Sequence, residues 1–367
     1  MKKLIWTLVI LVVVGVFGGR AWYLHKQAVA EKDVVKIGAV LPMTGNVPDD
    51  GDMTNKVMRE ALEEFNKTSN VKVKLITEDG KFTAKDSISA FRKLQSQGVD
   101  VIFVYGDVPS IAISPISQEQ NLPIYACACK TVKLGVNTFP DTRYLIDFIS
   151  DYAINDLKVS NAAIFHVKGP EPELMADHFE KRLTEKNIPI LKKQVYTDNS
   201  SGIRSLVNKV LQENPETIAV FGWGPTYPIL LNKIREQGFT GTILTDWNVT
   251  SYRNEIKATQ YPLYFTDTRF DIDSDNAEIR SFVNFFQKKY NKMPSSFAMI
   301  NYISAGIIAN AIKSTDYSVN DVYERILKTK DFPSILGPVS IGEDRHMRLP
   351  LVIKKLQPDG TLKIIKE

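Results

Sequence analysis

Two cysteines in 367 residues leave little room for a disulfide framework or a cysteine-rich metal site. Cys127 and Cys129 stand two apart in PIYACACK, where a bridge in extended chain is strained and two thiols alone hold a metal poorly. The plain reading is small buried residues at a strand end. The four histidines, His25, His166, His178 and His346, show no metal spacing. His178 and His346 are expected at the surface, and His166, at a strand end, could meet a ligand. Charge is nearly balanced, at 46 basic and 42 acidic residues, and the signs are interleaved, which argues against a nucleic-acid partner. Neither GxGxxG nor GxxxxGK[ST] follows any strand, and no GxSxG elbow occurs. No carboxylate pair is singled out for acid–base work, so neither an enzyme nor a cofactor is expected.

What is present begins with MKKLIWTLVILVVVGVFGG, two lysines followed by an uncharged apolar run. Its length lies between a signal h-region and a membrane span. Ala28-Val29-Ala30 fits a cleavage site, and Trp22 and Tyr23 fit an interfacial belt. Residues 1–30 therefore read as a signal peptide or an N-terminal anchor. The rest is expected outside the cytoplasm, free or tethered by residues 4–24.

From Val35 onward, short apolar runs alternate with amphipathic stretches. VVKIGAVLP, VKVKLITED, VDVIFVYG and LPIYACA read as strands, with helices between them. The pattern restarts at NAAIFHVKG and runs through TIAVFGWG to TILTDW. A helix-rich stretch over 277–330 follows, and PLVIKKLQPDGTLKIIK closes as a hairpin on Pro-Asp-Gly. The order implies parallel, doubly wound α/β sheets in two similar halves. Sheets of this kind bind ligands at the carboxyl ends of their strands, so two facing sheets would make a cleft. In GWG, Trp223 would be lifted by flanking glycines to the lip of that cleft.

Several segments resemble the branched-chain amino-acid binding proteins, the type I periplasmic solute-binding proteins of ATP-driven importers. They are KIGAVLPMTG, LITEDGKFTAKDSISAFRKL, GVDVIFVYG, YNKMPSSFAMINYISAGIIANAI and LGPVSIGEDRHMRLPLVIKKLQPDG, in order and spacing over residues 36–362. The resemblance implies two Rossmann-like lobes joined by three hinge crossings, closing on a small-molecule ligand and passing it to a membrane permease. The lobes are placed at 34–147 plus 273–330, and at 148–272 plus 331–367. A tethered sensor of the same fold is the alternative.

The resemblance also implies site residues. Ser110 in YGDVPS matches a serine that holds a ligand carboxylate, and Thr44 lies in the Thr-Gly loop. Cys129, Lys130 and Thr131 stand where the family has Ser-Pro-Gly-Ala-Thr, and Lys130 either favours an extra anionic group or faces solvent. Glu171 lies in KGPEPEL, which replaces the family's Tyr-Gly loop. Trp223 matches an aromatic cover on the ligand, the alternative being a ring packed on its own lobe. Asp246 in LTDWN matches the partner of a ligand ammonium, the alternative being a helix N-cap.

Overall fold

The computed structural model describes residues 34–128, 132–197, 201–312 and 319–367. The leader and the candidates Cys129, Lys130 and Thr131 lie outside the described residues. No helix among the described residues is long and apolar enough to cross a membrane.

The chain opens with β1 (Val34–Leu41), α1 (Pro48–Thr68), β2 (Lys72–Asp79), α2 (Ala84–Ser96), β3 (Val101–Tyr105), α3 (Asp107–Glu119), β4 (Ile124–Cys127) and β5 (Gly135–Asn137). These strands form a parallel sheet in the order β2-β1-β3-β4-β5. The central strand β3, VIFVY, is buried along its whole length, as helices on both faces require. Local chemistry sets the helix starts. Pro48 opens α1 with Asp49 and Asp50 in its first turn, and the Thr83 hydroxyl caps α2 by accepting from Asp86 N.

The second lobe starts with α4 (Thr142–Asp151) and a π-helical turn at Tyr152–Asp156. It continues through β6 (Ala162–Val167), α5 (Pro170–Thr184), β7 (Ile190–Tyr196), α6 (Ile203–Leu211), β8 (Thr217–Phe221), α7 (Thr226–Glu236), β9 (Thr242–Thr245), α8 (Asn248–Ser251) and β10 (Leu263–Thr268). The chain then returns to the first lobe with α9 (Ala277–Tyr290), α10 (Ser296–Ile312), α11 (Val319–Leu327), β11 (Ser340–Ile341) and β12 (Met347–Arg348). It ends in the second with β13 (Leu351–Leu356) and β14 (Leu362–Lys366). The second sheet runs β14-β13-β10-β9-β8-β6-β7, and β13 and β14 form the expected hairpin, with β13 antiparallel to β10.

The chain therefore crosses between lobes three times: at 138–141, just after β10, and at Leu349-Pro350. Two expected boundaries move. The division at 147/148 falls inside α4, which packs mainly on α5, β10 and β13 of the second lobe while Leu145 also joins the first core. The division at 330/331 is too early. Leu336, Val339, Ile341, Met347 and Leu349 are buried with Val35 and Phe103 in the first core, and Asn137 N donates to Arg345 O. Two-residue strands are too short to show a period, so this segment carried no signal of its own.

Candidate functional site

Across the gap between the lobes, the carboxyl ends of β3 and β4 approach that of β6, since Glu171 just after β6 acts electrostatically on Tyr105 and Cys127. In the first lobe, β1 runs into the Thr-Gly loop, which Asp79 at the end of β2 holds in place. Its carboxylate accepts from Met43 N at 3.0 Å, Thr44 N at 3.2 Å and Thr44 Oγ1 at 2.5 Å. Burial works to raise the pKa of Asp79, but the hydrogen bonds from Thr44, Lys81 and Met43 outweigh it and hold the carboxyl below its ordinary range. Gly45 has φ +95, and a side chain there would start 2.7 Å from Lys81 O, so this turn requires glycine. Thr44 itself is exposed at the rim.

At the end of β3, Tyr105 stands edge-on to Phe82 at 6.2 Å and to Phe297 at 5.5 Å. Its hydroxyl is hydrogen-bonded to Asp50 in the first turn of α1. Crowding by protein atoms pushes the Asp50 carboxyl above its ordinary value; the Tyr105 bond pulls it back and the neighbouring Asp49 pushes it further up. Beside Tyr105 lies the buried Cys127 thiol, pushed well up by burial and then by Asp107, Glu171 and Asp50. Such a thiol keeps its proton and is a poor nucleophile. Ser110 lies one turn into α3, buried, with its hydroxyl donating to Gly106 O at 2.7 Å.

The second lobe contributes Glu171, in the first turn of α5, whose charge reaches Tyr105 and Cys127 across the gap. Trp223 follows β8 and is half-buried, yet it joins no apolar cluster among the described residues. Its flanking glycines are both pinned. Gly222 N donates to Asp246 Oδ2 at 3.1 Å, and Gly224 N to the Tyr252 hydroxyl at 2.9 Å. A Cβ on Gly222 would sit 2.6 Å from Tyr196 Oη, so no side chain fits there.

Asp246, expected to meet a ligand ammonium, is 1% exposed and takes three hydrogen bonds from the chain itself. Besides Gly222 N, the donors are Asn248 N at 2.9 Å and Asn248 Nδ2 at 2.7 Å. Burial pushes its pKa from 3.8 up to about 7, against the pull of these bonds.

Sequence reasoning passed over Asp50, Tyr105 and the partners of Thr44. It also missed an aromatic series across the back of the cleft. Tyr105 meets Phe297, Phe297 meets Phe139 at 5.0 Å, and Phe139 meets Trp247 of the second lobe at 5.3 Å. The signal was available in the aromatics at the end of β3 and just after β5 and β9, but only pairing across elements gives it meaning.

The histidines fall differently from expectation. His346 is not at the surface: it is 0% exposed at the root of the hinge. His178 is half-buried against Asp147 at 2.9 Å, and His166 is buried with Nδ1 at 3.1 Å from its neighbour Val167 O. A groove of about 680 Å³ lies outside the cleft. It lies between α1, α9 and α10 and is lined by Phe65, Phe282, Tyr302 and Phe332. The site is assigned to the cleft because ligands of open α/β sheets bind where strands end and helices begin, and that groove is built from helix flanks.

Known proteins agree with this architecture. A family model described as "Periplasmic binding protein" matches residues 34–361. The Leu/Ile/Val-binding protein BraC3 of Rhizobium johnstonii is 24% identical over 57% of this chain and 60% of its own. An amino acid binding protein of Pseudomonas aeruginosa is 23% identical over 60% of this chain and 62% of its own. The chain thus spans about three fifths of the curated relatives it matches. Among solved structures, a leucine binding protein from Thermotoga maritima superposes with TM-score 0.79 at 21% identity, covering 90% of this chain and 97% of that one. A solute binding protein of Rhodopseudomonas palustris in complex with 3,4-dihydroxybenzoic acid gives 0.81 at 17% identity, covering 92% and 97%. With the family model spanning both lobes and all three crossings, the chain belongs to the periplasmic binding protein family, whose members bind solutes outside the cytoplasm.

Proposed function

We propose that this protein captures a small amino-acid-like solute between its lobes and delivers it to the permease of an ATP-driven importer. The observation that carries the reading is Trp223, a half-buried ring just after β8, on a turn fixed at both ends and left out of its own lobe's apolar clusters. A ring so placed is available to cover a bound molecule, and its rigid mounting lowers the entropy lost on binding. The names of the relatives favour an amino acid. The dihydroxybenzoate complex is a reason to test aromatic acids as well.

In this reading Thr44, Ser110, Glu171 and Trp223 border the solute, and Cys129, Lys130 and Thr131 join them on the strength of sequence alone. Asp246 acts from beneath, through Gly222, as the residue that aims the Trp-bearing turn. The solute closes the lobes because only the shut form makes contacts from both sides.

The test is a thermal-shift and calorimetric screen of the full chain against leucine, isoleucine, valine, polar amino acids and benzoates. A ligand at a hundredfold excess over its Kd should stabilise by about 2.7 kcal/mol. Trp223→Ala should weaken the best ligand about 10- to 100-fold, the range of a lost aromatic anchor. Unchanged affinity in that variant would remove Trp223 from the site.

A further inference from the structure

Two glycines at the end of the first lobe's sheet make room for one two-residue loop. A Cβ on Gly45 would meet Lys81 O at 2.7 Å, and one on Gly106, just after β3, would begin 2.3 Å from Phe82 Cε2. The segment Lys81-Phe82 therefore lies across the exits of β1 and β3, which pair side by side in the sheet. It does so in strained backbone. Lys81 has φ +49 and Phe82 φ +59, and the other non-glycine residues with positive φ among those described are asparagines, an aspartate, an arginine and another lysine. An aromatic side chain in the left-handed region is an outlier, since its Cβ crowds the following carbonyl. The neighbouring chain holds it there: Lys81 N donates to Asp79 Oδ1 at 2.9 Å, and Thr83 N to Gly80 O at 3.0 Å.

We propose that Phe82 is the first lobe's wall of the solute site and selects solutes with an apolar body. The inference rests on the cleft being where the solute binds. Strained backbone persists only where its surroundings over-determine it, and such residues cluster at binding sites. Here the strain places a half-buried ring at the end of β3, edge-on to Tyr105 at 6.2 Å. The charge of Glu171 reaches Tyr105 from the second lobe, so the ring stands beside the gap. The hydroxyls around it already donate within the lobe, Thr44 Oγ1 to Asp79 and Ser110 Oγ to Gly106 O, while that of Tyr105 is bonded to Asp50. What remains for a solute beside the ring is an apolar face. A methyl or a ring carbon packs on it, whereas a hydroxyl there exchanges water for carbon. Such a wall separates isosteres by about 10- to 100-fold.

The experiment is calorimetry of the full chain with two pairs of compounds that differ by hydroxyls on the body: valine against threonine, and benzoate against 3,4-dihydroxybenzoate. Wild type should bind the apolar member of at least one pair about tenfold or more tightly. Phe82→Asn suits left-handed backbone and removes the ring, so it should cut that preference to about threefold or less. A ring that merely braced its loop would instead weaken both members alike. An unchanged preference in Phe82→Asn, or equal binding of both members by wild type, overturns the wall. If Phe82→Asn does not fold, Gly106→Ala decides, because its methyl evicts the ring without altering residue 82, and it too should erase the preference. Trp223→Ala, run alongside, separates this inference from the reading beneath it. Weaker binding in Trp223→Ala with an unchanged preference in the Phe82 variant removes Phe82 alone, whereas no binding of any of the compounds by wild type removes both.

Discussion

Lys354→Met should lower the stability of the fold by about 3–5 kcal/mol, the usual cost of leaving one member of a buried ion pair alone. Lys354 and Asp267 are both 0% exposed, with Nζ 2.8 Å from Oδ2. The same carboxylate accepts from Thr250 Oγ1 at 2.8 Å, Ser296 Oγ at 3.1 Å and Thr268 N at 2.7 Å. Ser296 comes from the first lobe, and Lys354 also donates to Phe270 O on the second crossing. The cluster therefore ties the lobes together where the chain passes between them. Methionine matches the lysine stem in volume, so the loss reads the charge rather than a cavity. The check is urea denaturation of wild type, Lys354→Met, Asp267→Asn and the double variant. A coupling energy of about 2 kcal/mol or more is expected, and additive single losses would mean that the two charges act independently.

The second large effect is a pH dependence with an unusual sign. The Asp246 carboxyl, raised from 3.8 to about 7 by burial, holds its proton more tightly folded than unfolded. Its stabilising contribution is complete below pH 3.8 and is lost as pH rises through about 7. The full loss corresponds to about 4 kcal/mol. Asp246→Asn resembles the protonated acid and should lack this slope. Measured by denaturation at several values between pH 4 and pH 8, wild type should lose stability relative to the variant as pH rises. Parallel profiles would mean that Asp246 is ionised throughout. A solute that presents an ammonium to this carboxyl would force its ionisation, so binding near pH 6 would release a proton. Calorimetry in buffers of different ionisation enthalpy separates that contact from the positioning role through Gly222.

Much of this molecule could be read from its sequence because hydrophobic period and turn chemistry act locally. VIFVY is buried at every position, and a continuous apolar run of five predicts that much. GWG marked a constrained turn because glycine is needed where Gly222 approaches Tyr196. The hinge was harder. The β11–β12 hairpin contains Asp344, Arg345, His346 and Arg348, a composition that reads as surface, yet His346 is sealed by Asn137 from a strand some two hundred residues away. Lys354 was equally opaque, since a lysine in VIKKL looks solvent-facing until β10 and the second crossing close over it. Asp246 shows the same limit from the other side. Its residue type fits an ammonium partner or a turn acceptor alike, and only its burial and three donors describe what it does in the fold.

The central claim is that two hinged lobes shut on a solute with Trp223 against it. The most direct measurement is a crystal structure of the full chain with the tightest-binding compound of the screen. The account predicts the compound between the ends of β3 and β4 and those of β6 and β8, chemically intact, with the indole of Trp223 in van der Waals contact. A compound bound in the outer groove of the first lobe, or a Trp223 ring turned away from it, would contradict the account.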